Sequence, residues 1–214
     1  MPTGTHHKIG WANRVTLGRL FLIAPFVLCL LNQNDPTKLW LRWAAIAIFA
    51  LMAASDAIDG YLARRLHDES PLGAFLDPLA DKLLVTFAVI LLCFNGVADH
   101  NSAGALHTLR LPNWVVVAAI AKDLIVSLGF VVIYLSTGTL LLKPRWLGKT
   151  CTTVELLLVL AMLLWPSLPA PLADTPRILW TATTVLAALA AVDYIRSGNH
   201  YIISTNAAKK QNAE

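Results

Sequence analysis

The chain carries the sequence SDAIDGYLAR at residues 55–64 and the sequence GAFLDPLAD at residues 73–81. These stretches hold four aspartates, within or beside segments apolar enough to enter a bilayer: Asp56, Asp59, Asp77 and Asp81. An ionisable side chain in such surroundings is unfavourable and is therefore usually functional. The spacings of three and four residues place each pair on one face of a helix, so the four carboxylates can converge. Because four clustered negative charges repel strongly in a low dielectric, they predict a bound cation, most naturally a divalent metal.

The composition and the apolar runs predict an integral membrane protein. Of the 214 residues, 57% are hydrophobic and only 14% are charged, which fits a membrane protein better than a soluble domain. Apolar runs near the roughly 20 residues that a spanning helix needs occupy residues 15–31, 39–63, 72–97, 114–135, 146–168 and 178–195. We expect an all-α bundle of six transmembrane helices that forms a single domain over residues 1–205. The small, polar residues 206–214 are expected to form a flexible tail.

The basic residues predict how this bundle is oriented. Six spans place both termini on one side of the membrane, and eleven basic residues fall on that side: Lys8, Arg14, Arg19, Arg64, Arg65, Lys143, Arg145, Lys149, Arg196, Lys209 and Lys210. Four fall on the other side: Lys38, Arg42, Arg110 and Arg177. The excess marks the cytoplasmic side, so both termini are expected in the cytoplasm. Since this asymmetry explains most of the net charge of +4, no nucleic-acid partner is expected.

Eight positions in the two aspartate stretches resemble the signature of the CDP-alcohol phosphotransferase family. That signature has two aspartates, a glycine, an Ala-Arg pair and a second glycine before two further aspartates. The resemblance extends to the number and orientation of the spans. It implies that an acceptor alcohol attacks a CDP-linked lipid, CDP-diacylglycerol, giving a phosphodiester lipid and CMP. It also implies a homodimer in a bacterial inner membrane or an organelle membrane, with the active site at the cytoplasmic or matrix face.

The chemistry of the four aspartates suits this reaction. Mg²⁺ and Mn²⁺ prefer carboxylate oxygens and substrate phosphate, and two such ions stabilise the attacking and leaving oxygens of a phosphoryl transfer. We expect Asp56 and Asp77 to bridge two Mg²⁺ or Mn²⁺ ions. Asp59 would complete the coordination of one ion, and Asp81 that of the other. The resemblance implies that Asp81 is also the catalytic base that takes the proton of the acceptor hydroxyl.

The predicted CDP-binding residues lie in the same motif. Asp56 belongs to this set, and Arg64 offers a planar fork to the diphosphate. Gly60, Ala63 and Gly73 are small enough to let the helices and the nucleotide approach closely. Plain helix–helix packing also selects small residues, so this alternative stays open.

The start of the first span resembles the family less specifically. Asn13, Thr16 and Arg19 resemble residues that family members place near the nucleotide, and we include Asn13 and Thr16 in the predicted CDP site. The alternative is an interfacial anchor with a helix N-cap.

Basic residues around the fifth span form the predicted acceptor site. Lys143, Arg145 and Lys149 stand before and at the start of that span, where they can cradle the phosphate of glycerol 3-phosphate. Lys122 in the fourth span is the remaining candidate. Two alternatives stay open. The charge asymmetry itself places basic residues on cytoplasmic loops, and Lys122 with Asp123 also fits a structural ion pair.

Glycerol 3-phosphate is the expected acceptor because clustered basic residues suit a phosphorylated alcohol, and phosphatidylglycerophosphate would then be the product. Phosphatidylglycerol, the acceptor of the cardiolipin synthases in this family, and inositol phosphate are the alternatives. The non-enzyme alternative is a transporter with an acidic path through the membrane. A transporter predicts polar residues on several spans, whereas these acids cluster on two consecutive helices. A membrane scaffold with an idle site also stays open.

Overall fold

The computed structural model describes residues 11–66, 71–99, 107–137 and 146–211, which are mostly helical. These residues form six α-helices: α1 (Trp11–Asn32), α2 (Trp40–Leu66), α3 (Pro71–Phe94), α4 (Asn113–Thr137), α5 (Trp146–Leu164) and α6 (Thr175–Gln211). Two three-residue strands, β1 (Val97–Asp99) and β2 (His107–Leu109), lie between α3 and α4. Short 3-10 turns follow α1 and α5.

Each predicted apolar run coincides with one helix, which confirms a predominantly helical fold. Among the described residues, two segments are long and apolar enough to cross a membrane, namely Trp146–Ser167 and Thr175–Ser197. Shorter apolar stretches occur in α1, α2 and α3. The count of six spans and the orientation of the termini therefore stay predictions.

The chain forms two compact units, residues 1–109 and residues 110–214. In the first unit, α1 packs against both α2 and α3. The rings of Phe26 in α1 and Phe49 in α2 stack with centroids 5.7 Å apart, and both side chains are buried. Lipid tails are as apolar as these rings, so close packing rather than the exclusion of water stabilises the contact within a bilayer. That residues 1–205 act as a single domain stays a prediction.

A polar clamp joins the end of α1 to the end of α3 in the first unit. The Asn34 side-chain amide donates to the carbonyl of Asn95 at 3.0 Å, and its oxygen accepts from the N–H of Ala98 at 2.9 Å. The Gln33 amide donates to the carbonyl of Gly96 at 3.0 Å. Gly96 has a φ of 63°, a left-handed conformation that glycine adopts without steric penalty, and it ends the helical path before β1.

The antiparallel pairing of β1 with β2 was not expected from the sequence. Val97 pairs with Leu109 and Asp99 with His107. Strands of three residues are too short to show the alternation of apolar and polar residues that identifies a strand in a sequence.

In the second unit, α6 packs against both α4 and α5. The core is formed by buried α5 side chains, among them Leu158 and Met162, and by the small residues Ala187 and Ala190 of α6. Alanines at such positions let two helices approach closely, which strengthens packing inside a membrane.

Helix α6 continues beyond the predicted end of the domain at residue 205. Residues 206–211 belong to the helix, so this part of the predicted flexible tail is helical, while residues 212–214 lie outside the described residues. The physical reason is local: Ala207, Ala208, Lys209 and Lys210 are strong helix formers, and no glycine or proline interrupts them.

Candidate functional site

Helices α2 and α3 carry the four aspartates on the two sides of a short connection at residues 67–70. Asp56 and Asp59 lie on α2, and Asp77 and Asp81 lie on α3. The i, i+3 and i, i+4 spacings therefore fall on helical backbone, as predicted. Their side chains are not among those that the structure describes, so the convergence of the four carboxylates stays a prediction.

The aspartates of α2 and those of α3 lie at similar distances from the connection, measured along each helix. At a rise of roughly 1.5 Å per residue, Asp59 lies about 10 Å from the C-terminal end of α2. Asp77 lies about 9 Å from the N-terminal end of α3 by the same measure. Asp56 and Asp81 each stand about 15 Å from those ends by the same measure.

The predicted metal and CDP residues all belong to the first compact unit. Asn13 and Thr16 lie in the first two turns of α1, Gly60, Ala63 and Arg64 lie on α2, and Gly73 lies on α3. Because α1 packs against both α2 and α3, the three helices that carry these residues form one packed group. Arg19, the third residue of the α1 resemblance, is buried. The side chains of the other residues lie outside the described residues.

The donor set fits a divalent cation by its chemistry. Carboxylate oxygens are the ligands that Mg²⁺ and Mn²⁺ prefer, and Asp56, Asp59, Asp77 and Asp81 supply them from two consecutive helices.

The predicted acceptor residues fall into two groups. Lys149 lies in the first turn of α5, where its side chain is exposed and makes no ion pair with any residue that the structure describes. Lys143 and Arg145 lie outside the described residues. Lys122 lies in the middle of α4 and is buried.

The ammonium of Lys122 is already paired inside the second unit. Its Nζ lies 2.9 Å from Oε2 of Glu155 in α5 and 3.2 Å from Oδ1 of Asp123. The Lys122 side chain is 5% exposed and that of Glu155 is 2% exposed. The Cys151 thiol donates to the other carboxylate oxygen of Glu155 at 3.7 Å. The geometry supports the structural alternative for Lys122, because a substrate phosphate would have to compete with Glu155.

The sequence interpretation did not identify Glu155 as the partner of Lys122. The signal was present, since a glutamate in the apolar run at 146–168 is unfavourable in a bilayer without a cationic partner. Lys122 was the nearest candidate in the preceding span, but no sequence spacing relates residues on two separate helices.

A second contact that the sequence did not predict joins α5 to α6. A β-carbon built on Gly148 would lie 3.5 Å from the Tyr194 hydroxyl oxygen and 3.7 Å from Cε2 of its ring. Thr152 and Thr153 donate their hydroxyl protons to the carbonyls of Gly148 and Lys149, each at 3.0 Å. Both threonine hydroxyls therefore donate their protons in hydrogen bonds within α5.

The fold and the motif define a helical, membrane-associated protein whose aspartates suit a divalent-metal centre. The chain belongs to the CDP-alcohol phosphatidyltransferase family, whose model matches residues 10–195. This membership makes it a phosphatidyltransferase and confirms the resemblance identified in the sequence. Members of this family generally use divalent metal ions, which agrees with the aspartate motif.

Several bacterial relatives carry the name CDP-diacylglycerol–glycerol-3-phosphate 3-phosphatidyltransferase. One from Bacillus subtilis (strain 168) is 32% identical over 181 residues, covering 79% of this chain and 86% of the relative. One from Escherichia coli (strain K12) is 34% identical over 154 residues, covering 71% of this chain and 74% of the relative. One from Pseudomonas fluorescens is 41% identical over 115 residues, and there the match spans about half of each chain, 54% of this one and 51% of the relative.

Proposed function

We propose that the protein transfers a phosphatidyl group from CDP-diacylglycerol to glycerol 3-phosphate, forming phosphatidylglycerophosphate and releasing CMP. The observation that carries this proposal is the complete aspartate motif on α2 and α3, in a chain of this family. The names of the relatives from B. subtilis and E. coli support the choice of acceptor.

In the proposed reaction, a hydroxyl oxygen of the acceptor forms a new bond to the phosphorus that carries the diacylglycerol group. The bond from that phosphorus to the bridging oxygen of the diphosphate breaks, and CMP leaves with the bond electrons. Asp81 takes the proton of the attacking hydroxyl, so no covalent intermediate with the protein is needed. Two divalent ions, held by Asp56, Asp59, Asp77 and Asp81, would supply charge neutralisation at the diphosphate.

Residues of α1–α3 bind and orient the CDP group in this proposal. Arg64 pairs with the diphosphate through its planar guanidinium. Gly60, Ala63 and Gly73 leave room for the nucleotide against the helix backbones. Asn13 and Thr16, at the start of α1, complete the CDP site from the helix that packs against the other two.

Acceptor recognition is assigned first to Lys149, because its ammonium is exposed and unpaired among the described residues. Arg145 and Lys143, which precede α5 in the sequence, would add positive charge for the phosphate. Lys122 would contribute to the acceptor site when a phosphate displaces Glu155 from its ammonium. Otherwise Lys122 joins α4 to α5 through the ion pair.

The membrane arrangement is part of the same proposal. Six spans, with both termini in the cytoplasm, would set the aspartate motif at the cytoplasmic face of a bacterial inner membrane, or at the matrix face in an organelle. The distribution of basic residues supports this orientation. Membrane lipids are the surrounding partners, and the resemblance to the family supports a homodimer.

The acceptor is tested by supplying purified protein in lipid with CDP-diacylglycerol, Mg²⁺ or Mn²⁺ and one acceptor at a time. We expect glycerol 3-phosphate to yield phosphatidylglycerophosphate, identified by mass spectrometry, together with an equal amount of CMP. Phosphatidylglycerol and inositol phosphate should give much lower rates. A higher rate with either one would replace the proposed acceptor, and no product from any of the three would contradict the proposed activity.

A further inference from the structure

The first turn of α5 contacts α6 at a glycine. Gly148 has no side chain, and Tyr194 of α6 fills part of the space, with its hydroxyl oxygen 3.5 Å from the point where a β-carbon would stand. Two other described glycines, Gly18 and Gly129, meet nothing within 4 Å at that point. The distance of 3.5 Å is an ordinary van der Waals contact, so the tyrosine hydroxyl lies against α5 at Gly148, and a side chain larger than a methyl group there would meet it.

The Tyr194 hydroxyl is available for a further hydrogen bond. It makes none with any residue within the described ranges, and both Tyr194 and Gly148 are only half-buried. A tyrosine hydroxyl of this kind donates readily to an anionic oxygen, and a bond to a charged group is stronger than one between neutral groups.

Lys149 directly follows Gly148 in the first turn of α5. Its ammonium is exposed and carries no ion pair within the described part of the chain, in contrast to Lys122, which is neutralised by Glu155. A neutral donor on α6 and an uncompensated positive charge one residue after its contact point on α5 together suit a phosphate monoester. The hydroxyl contributes direction, and the ammonium contributes charge.

We propose that Tyr194 is a specificity-determining residue of the transferase, donating its hydroxyl hydrogen to the phosphate of the acceptor beside Lys149. This inference rests on the proposed function, because it requires a phosphorylated acceptor. The contact with Gly148 places this hydroxyl against the first turn of α5. Tyrosine also serves as an interfacial anchor near the ends of membrane helices, and that role needs the ring but not this hydrogen bond.

The test is Tyr194→Phe, which keeps the ring against Gly148 and removes the hydroxyl alone. We expect the KM for glycerol 3-phosphate to rise about tenfold, as for the loss of one hydrogen bond to a charged group. The kcat at saturating acceptor and the KM for CDP-diacylglycerol should stay unchanged. Thr184→Val is the matched control, because it removes an α6 hydroxyl that donates to the carbonyl of Trp180, about 15 Å along the helix from Tyr194.

A second variant tests the geometry without removing the hydroxyl. Gly148→Val adds methyl groups where Tyr194 now lies, so it should displace the hydroxyl and also raise the acceptor KM. Combining Tyr194→Phe with Lys149→Ala should raise that KM by a factor different from the product of the two single effects, since both residues bind one phosphate.

The outcomes separate this inference from the proposed function. Normal turnover of the wild type, with an acceptor KM in Tyr194→Phe within twofold of the wild-type value, would overturn the role of Tyr194 and leave the proposed function intact. An equal loss of rate by Tyr194→Phe with glycerol 3-phosphate and with unphosphorylated glycerol would also overturn it, because a structural defect would then be the cause. A wild type that releases no CMP with any acceptor would overturn both.

Discussion

Replacing the buried Lys122 should lower the free energy of unfolding more than replacing Glu155, its main anionic partner. Lys122 faces two carboxylates, Glu155 at 2.9 Å and Asp123 at 3.2 Å. Lys122→Met would leave the Glu155 carboxylate, which is 2% exposed, without its cation. Breaking a buried ion pair from one side costs about 3–5 kcal/mol of unfolding free energy.

Glu155→Gln should cost less, about 1.5–3 kcal/mol, the range for a hydrogen bond to a charged group. Lys122 would keep Asp123 as its counter-ion, and the glutamine oxygen would still accept from the ammonium. The double variant Lys122→Met/Glu155→Met removes both charges together. It should lie closer to the wild type than Lys122→Met alone, because a buried ion pair exchanged for apolar residues of similar volume is often neutral or better.

The assay is reversible unfolding of the purified protein in mixed detergent micelles, followed by circular dichroism. The matched control is Arg177→Met, which breaks an ion pair of the same length, 2.9 Å to Asp174, between side chains that are 65% and 73% exposed. That change should stay within about 1 kcal/mol of the wild type. The reasoning is refuted if Lys122→Met also stays within 1 kcal/mol, or if Glu155→Gln is the more damaging of the two single changes.

Three further changes probe the other parts of the molecule. Asp81→Asn should lower kcat by about 10²–10⁴-fold while leaving the unfolding transition unchanged, because it removes the proposed base; wild-type turnover would take Asp81 out of the mechanism. Lys149→Ala should raise the KM for glycerol 3-phosphate about tenfold and leave that for CDP-diacylglycerol unchanged in steady-state CMP release. Asn34→Ala should lower the unfolding free energy by about 1–3 kcal/mol, because it leaves the N–H of Ala98 without its partner; no change would show that the polar clamp is not needed.

The helices and the motif were predictable from the sequence because both depend on local spacing. Apolar runs of roughly 20 residues identify helices whatever they pack against, and Asp56 and Asp59 share a helix face by the period of the helix alone. The family signature adds fixed residue types at fixed distances along the chain. The helical backbone of α2 and α3 at these positions agrees with that prediction.

The features that the sequence did not predict depend on contacts between residues that are far apart in the chain. The Lys122–Glu155 pair joins two helices, and the approach of Tyr194 to Gly148 joins another two, so neither has a signature within one segment. The pairing of β1 with β2 is similarly non-local and involves strands too short to show a periodicity. The extension of α6 is the exception. The residue types at 206–211 favour a helix, but the prediction gave more weight to their polarity.

The central claim is that the aspartate motif supports metal-dependent phosphatidyl transfer, and CMP release tests it most directly. Purified protein in lipid would receive CDP-diacylglycerol and glycerol 3-phosphate with Mg²⁺ or Mn²⁺, and then with an excess of chelator. We predict CMP and phosphatidylglycerophosphate in equal amounts with metal, no turnover with chelator, and recovery when metal is restored. An undiminished rate of CMP release in the presence of chelator would contradict the claim.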